Sequence, residues 1–105
     1  MNNIFNLKGI DFSNNKEIIE IVASSKNVRI ERIISTGQTT ELDFWYEQTE
    51  NEFVIILQGD AKILFDDGNE IHLFKGDYLT IPTRCRHKVS YTSANPACIW
   101  LAVFF

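Results

Sequence analysis

Alternation of hydrophobic and polar positions dominates the chain from residue 28 onward. Val28, Ile30 and Ile34 lie on one face of a predicted strand, and the later segments repeat this period of two. Glycine, proline and Asp-Gly pairs separate these segments. The final segment, 97–105, is apolar nearly throughout, so we expect it at the centre of a core. About eight or nine short strands at this spacing favour an all-β protein with an antiparallel sandwich or small barrel.

The first 27 residues follow a different pattern and are predicted to form a strand/helix extension. A short strand is predicted over 4–7. Asn14 followed by Glu17 resembles a capping box at a helix start. Three apolar residues then occur at helical spacing, namely Ile18, Ile21 and Val22. We therefore predict an extension over 1–27 with one short helix, and a single β-barrel over 28–105.

Composition and charge narrow the function classes. The chain has 105 residues with 45% hydrophobic and 23% charged, which suits one globular domain. A net charge of −4 without a basic block disfavours nucleic-acid binding. No apolar run is long enough to cross a membrane, and the first residues do not resemble a secretory signal. The two cysteines form neither a disulfide framework nor a zinc motif, so we expect a cytoplasmic protein.

Two clusters of polar residues are the candidates for chemistry. In the first, Glu47, Gln48 and Glu52 offer carboxylate and amide oxygens, the donors that hard or borderline cations prefer. In the second, His87 begins a predicted strand after a loop that contains Arg84. Taken separately, each cluster is more typical of a solvated strand end than of a site.

Spacing connects the two clusters to a known family. Six residues separate Glu52 from Gly59; five separate Gly76 from Pro82, and four more precede His87. These spacings resemble the two sequence motifs of the cupin superfamily, over about three-quarters of the chain. The resemblance implies a small jelly-roll barrel that holds one divalent metal ion. It identifies the chain as a small single-domain cupin with a degenerate first motif.

The same resemblance implies a ligand set that differs from the family pattern. Glu52 and His87 occupy two ligand places with the family's residue types. Gln48 and Tyr46 occupy the places of two histidines, and Gln48 could offer its amide oxygen. We therefore expect Gln48, Glu52 and His87 to hold the metal, which could be Fe, Mn, Ni or Zn. Glu47, one residue out of register, is a reserve ligand that a bulge could turn inward.

Five residues are candidates for the wall of a ligand pocket. Aromatic and charged side chains near the two motifs could hydrogen-bond a small polar molecule. They are Tyr46, Glu47, Arg84, Tyr91 and Trp100. In the family pattern, Arg84 stands in place of the second glycine of motif two, and Tyr91 in place of its asparagine.

Several functions remain open from the sequence. One is a metal-dependent enzyme acting on a small oxygen-bearing substrate. A second is a binding or sensing module for a small polar molecule, with or without metal. A third is a metal-free isomerase or epimerase of the sugar type, in which His87 is the candidate general base. We also expect a homodimer, formed through the N-terminal segment and the apolar tail; a monomer mass by light scattering would contradict it.

Overall fold

Eight antiparallel strands in two sheets form the structure. The computed structural model describes all 105 residues. The strands are β1 (Ile18–Ser25), β2 (Val28–Ser35), β3 (Glu52–Gln58), β4 (Ala61–Phe65), β5 (Glu70–Leu73), β6 (Tyr78–Ile81), β7 (His87–Thr92) and β8 (Cys98–Phe104). One sheet has the order β1-β2-β8-β3-β6 and the other the order β5-β4-β7. The predicted all-β class and the small antiparallel architecture are confirmed.

The core lies between the two sheets. β8 is the middle strand of the larger sheet, as its nearly continuous apolar sequence predicted. Its Trp100 and Phe104 are 4% and 5% exposed and point into the same core as Val54 of β3. Ile63 of β4 faces them from the smaller sheet. This arrangement leaves room for a cavity between the sheets at the level of Trp100.

The predicted N-terminal helix is wrong, because residues 18–25 form strand β1. β1 pairs with β2 through a tight turn at Lys26 and Asn27. The pairing shifts register between Ile21 and Ala23, so a bulge interrupts the alternation of side chains. The apolar residues of this strand stand three and four positions apart in the sequence, which imitates the period of a helix. β-Branched isoleucines also favour the extended pairing.

The segment between β2 and β3 also departs from prediction. The alternating sequence of residues 41–48 predicts a strand, but only one bridge forms there, in which Tyr46 and His87 exchange backbone hydrogen bonds of 2.8 and 3.1 Å. The same alternation puts Phe44 on the face of Tyr46 and predicts it inside the barrel, whereas Phe44 is exposed. Residues 4–7, expected to be extended, contain a turn. The bridge at Tyr46 nevertheless brings this segment against the start of β7.

The outer strand β1 carries exposed apolar residues. Ile19 and Ile21 are 54% and 63% exposed, on the strand that forms one edge of the larger sheet. An unpaired edge of this kind is a template for association, and the homodimer stays a prediction. The structure contains no helix that is long and apolar enough to span a membrane.

Candidate functional site

A cavity of about 270 Å³ lies between the two sheets. Nine of its fifteen lining residues are hydrophobic, with the phenol of Tyr46 among them, and the other six bring carboxylate, amide, imidazole and guanidinium groups to one space. The polar and aromatic members are Glu17, Arg29, Glu31, Tyr46, Gln48, Glu52, His87, Trp100 and Phe104. An apolar wall with a few convergent polar groups is typical of a small-molecule site.

His87 is fixed at the cavity wall by the backbone. It is 4% exposed and begins β7, where the bridge to Tyr46 holds its main chain. Its Nδ1 lies 2.8 Å from the carbonyl oxygen of Cys85, which can only accept a hydrogen bond. Nδ1 therefore carries the proton, and the neutral ring presents its Nε2 lone pair to the cavity. Nε2 lies 3.5 Å from Oε1 of Glu52.

Opposing influences act on the pKa of His87. Burial favours the neutral ring and lowers the pKa, and it is the largest single influence. The contact of Nε2 with the Glu52 carboxylate, the bond to the Cys85 carbonyl and the charge of Glu52 favour the imidazolium form. Together these three outweigh burial, so the pKa of His87 is raised. The ring can thus accept a proton from a bound molecule and hold it beside a carboxylate.

Glu52 contributes a carboxylate oxygen without a partner. It is the first residue of β3 and is 8% exposed. Its Oε1 is buried and has no hydrogen-bond partner in the structure. A buried, unsatisfied charged oxygen costs free energy and calls for a ligand, a proton or a cation. In this cavity the orphaned oxygen points to a binding function.

Tyr46 stacks beside His87 and keeps its proton. The two ring centroids are 5.7 Å apart, with a 27° angle between the planes. Burial and the charges of Glu17 and Glu52 raise the pKa of Tyr46. The phenol therefore stays protonated at neutral pH and can donate a hydrogen bond to a ligand oxygen.

Three charged residues of the cavity were not among the site residues predicted from the sequence. Glu31 and Arg29 come from β2 and pair with each other, with Arg29 Nε 2.7 Å from Glu31 Oε2. Glu17 precedes β1, and its Oε2 accepts a hydrogen bond of 3.5 Å from Ser35 Oγ. The Ser35 hydroxyl also accepts one of 3.2 Å from Trp100 Nε1. Alternation along β2 could have indicated Glu31, whereas nothing local predicts Glu17.

Three predicted pocket residues lie elsewhere, which corrects the sequence-based pocket. Glu47 faces solvent, 3.6 Å from Arg86 Nε, because alternation along its segment turns it away from Tyr46 and Gln48. Arg84 is exposed in a turn with φ of 62°. Tyr91 lies on the outer face of the smaller sheet, edge-on to His72. Tyr46, Gln48, Glu52, His87 and Trp100 do line the cavity together.

The donor set allows the expected metal to be tested against the structure. No group of three or more His, Cys, Asp or Glu side chains is arranged to hold a metal ion. Glu52 and His87 are the two strong donors, and Gln48 adds an amide group from the same cavity. The orphaned Oε1 of Glu52 suits a cation. These residues would offer a divalent ion one carboxylate, one imidazole and one amide donor.

Fold and site together define a small antiparallel β-barrel protein with a ligand-sized, carboxylate-rich cavity. The cupin domain family matches residues 32–104. The chain therefore belongs to the cupin family. No curated protein matches the chain.

Solved structures share this architecture. A Ralstonia eutropha JMP134 protein, provisionally named a mannose-6-phosphate isomerase, is 33% identical, with a TM-score of 0.89. The match covers 99% of this chain and 95% of that one. A cupin superfamily protein of Desulfitobacterium hafniense DCB-2 is 24% identical over 87% of this chain and 78% of its own, with a TM-score of 0.74. The Clostridium difficile EutQ protein is 14% identical over 85% and 67%, with a TM-score of 0.70. The last two likenesses concern the fold alone.

Proposed function

We propose that the protein binds a small hydroxylated carbonyl compound of the sugar class in its cavity, where His87 moves a proton. The observation that carries this proposal is the position of His87 Nε2, which lies 3.5 Å from Glu52 Oε1, a buried oxygen without a hydrogen-bond partner. A histidine oriented through Nδ1 and facing a carboxylate has the arrangement of a general base. The name of the Ralstonia protein supports the sugar class.

Each group has a defined part in the proposed proton transfer. His87 Nε2 takes the proton from the carbon next to the carbonyl group, and the C–H electron pair moves toward the carbonyl oxygen. The Tyr46 hydroxyl, protonated because its pKa is raised, donates to that oxygen as negative charge develops. The carboxylate of Glu52 stabilises the imidazolium. Return of the proton to the same carbon of the enediolate gives exchange or epimerisation. Its return to the former carbonyl carbon, with the proton of the neighbouring hydroxyl passing to the former carbonyl oxygen, gives isomerisation.

Deuterium exchange tests this proposal with mannose as the probe. In D₂O, we expect the proton on carbon 2 of mannose to be replaced by deuterium only when the protein is present, as followed by proton NMR. In a separate titration in H₂O, we also expect mannose to shift the indole N–H signal of Trp100, which lines the cavity. The sugar assignment would be overturned if mannose at high millimolar concentration gave no exchange and no shift.

A divalent metal site is the second candidate, and the unpartnered Oε1 of Glu52 favours it. His87, Glu52 and the amide of Gln48 would hold the ion. A bound ion would polarise the carbonyl oxygen of a ligand as a Lewis acid. Elemental analysis of protein purified without chelators is expected to give metal below one equivalent, and none in Glu52→Ala or His87→Ala. Unchanged metal content in both variants would exclude these residues as ligands.

A further inference from the structure

The charge of the cavity wall is unusual for a site that would take a phosphorylated sugar. Glu17, Glu31 and Glu52 bring three carboxylates to the wall, against one permanent cation, Arg29. Arg29 is already engaged, with Nε on Glu31 at 2.7 Å and a terminal nitrogen 3.3 Å from Glu50 Oε2. No unpaired cation therefore remains in the cavity for an anionic substituent.

Two of the three carboxylates have few hydrogen bonds to offset the loss of water around them. Glu52 is 8% exposed, and its Oε1 has no hydrogen-bond partner. Glu17 receives one long hydrogen bond, of 3.5 Å, from Ser35. The charges of Glu17 and Glu52 both act on the hydroxyl of Tyr46, so this phenol lies in the field of both carboxylates. The neighbouring groove holds Lys16, but Glu41 lies in the same groove and offsets its charge.

We propose that Glu17, Glu52 and Tyr46 form a subsite for a protonated primary amine of the ligand, so that the cavity takes an amino sugar in preference to a neutral sugar or a sugar phosphate. An ammonium group donates three hydrogen bonds and satisfies both carboxylates and the phenol oxygen. The aromatic rings of Tyr46 and Trp100 add favourable contacts for a cation. The inference rests on the proposed sugar-binding function.

Glu17 lies outside the part of the chain that matches the cupin family. Burial and the charge of Glu31 raise its pKa, and the bond from Ser35 only partly offsets them. The folded protein thus holds the Glu17 charge at a cost in free energy. A ligand cation at this place would offset that cost.

Three matched sugars test the subsite, with affinities measured by NMR titration of the Trp100 indole signal at a pH below the amine pKa. The probes are mannosamine, mannose and mannose 6-phosphate, which differ in charge. We expect mannosamine to bind about tenfold more tightly than mannose, and mannose 6-phosphate most weakly. A chelator in the buffer should leave this order unchanged, since the subsite consists of protein groups.

Two variants test whether Glu17 causes the preference for mannosamine over mannose. Glu17→Gln is expected to bring mannosamine to the affinity of mannose. Glu47→Gln removes an equal charge from an exposed place outside the cavity and should preserve the tenfold preference. Equal binding of mannose and mannosamine, or tightest binding of mannose 6-phosphate, would overturn the subsite and leave sugar binding standing. Failure of all three sugars to bind would overturn the proposed function together with the subsite.

Discussion

His87→Gln is expected to reduce deuterium exchange of bound mannose by about 10²–10⁴-fold, the usual contribution of a general base. The glutamine side chain retains hydrogen-bonding groups but cannot accept the proton at neutral pH. Binding of mannose should weaken far less, because Tyr46, Gln48 and Trp100 still line the cavity. Two quantities are measured: the exchange rate by proton NMR in D₂O, and the dissociation constant of mannose by NMR titration of the Trp100 indole signal in H₂O.

His72→Gln is the matched control for this prediction, because His72 is the only other histidine of the chain. It lies outside the cavity, with Nε2 2.7 Å from Asp60 Oδ2. Exchange in this variant should equal that of the unaltered protein. Full exchange activity in folded His87→Gln, checked by its dispersed NMR spectrum, would remove His87 from the proposed role.

The pH dependence of exchange has a definite sign. The base is active only when His87 is neutral, so exchange should increase as pH rises through the pKa of His87. That pKa is raised by Glu52 and the Cys85 carbonyl against the effect of burial, so the midpoint lies above the ordinary value of about 6.5. In Glu52→Gln the buried ring loses its charge partner, and the midpoint should move to lower pH.

The contribution of His87 to the free energy of unfolding also depends on pH, but it decreases where the exchange activity increases. Because the folded pKa of His87 is raised, its contribution to stability is fully present below the unfolded pKa of about 6.5. That contribution is lost as pH rises through the folded pKa. Activity and this part of the stability therefore change in opposite directions over one pH interval, which is consistent with a base held at a functional site.

The strands could be predicted where hydrophobic pattern and burial agree. β8 is apolar on both faces and lies at the centre of the larger sheet, as its sequence indicated. β1 could not be predicted in the same way. The bulge between Ile21 and Ala23 changes the spacing of its side chains, and its pairing with β2 is a tertiary interaction that local propensity does not contain.

In the site too, local sequence pattern predicts some residues, whereas tertiary contacts decide the others. Alternation over 41–48 predicts that Tyr46 and Gln48 share one face, and the motif spacing indicates Glu52 and His87. Glu17 reaches the cavity only because the β1–β2 hairpin brings the preceding residues beside the barrel. Arg84 and Tyr91 are close to the motif in sequence, yet they face solvent. The sequence motifs therefore predicted which strands carry the site, but closeness to a motif in the sequence did not predict which side chains line the cavity.

Gly59→Ala is expected to destabilise the protein by about 3–5 kcal/mol. Gly59 has φ of +74°, where a side chain is strained by about 1–2 kcal/mol. An added Cβ would also overlap the Ser93 hydroxyl and lie 3.0 Å from the Ala97 carbonyl oxygen. The hydroxyl cannot move freely, because it accepts a hydrogen bond of 3.1 Å from the Asp60 backbone.

Gly68→Ala separates backbone strain from steric overlap. Gly68 has φ of +89° but no atom within 4 Å of an added Cβ, so this variant should cost only about 1–2 kcal/mol. Urea unfolding at one pH measures both variants, with the difference between them assigned to the contacts with Ser93 and Ala97. Equal losses would mean that the turn after β3 relaxes to admit the methyl group. A larger loss in Gly59→Ala would instead show that this glycine is required because the β3–β4 turn packs directly on the segment leading into β8.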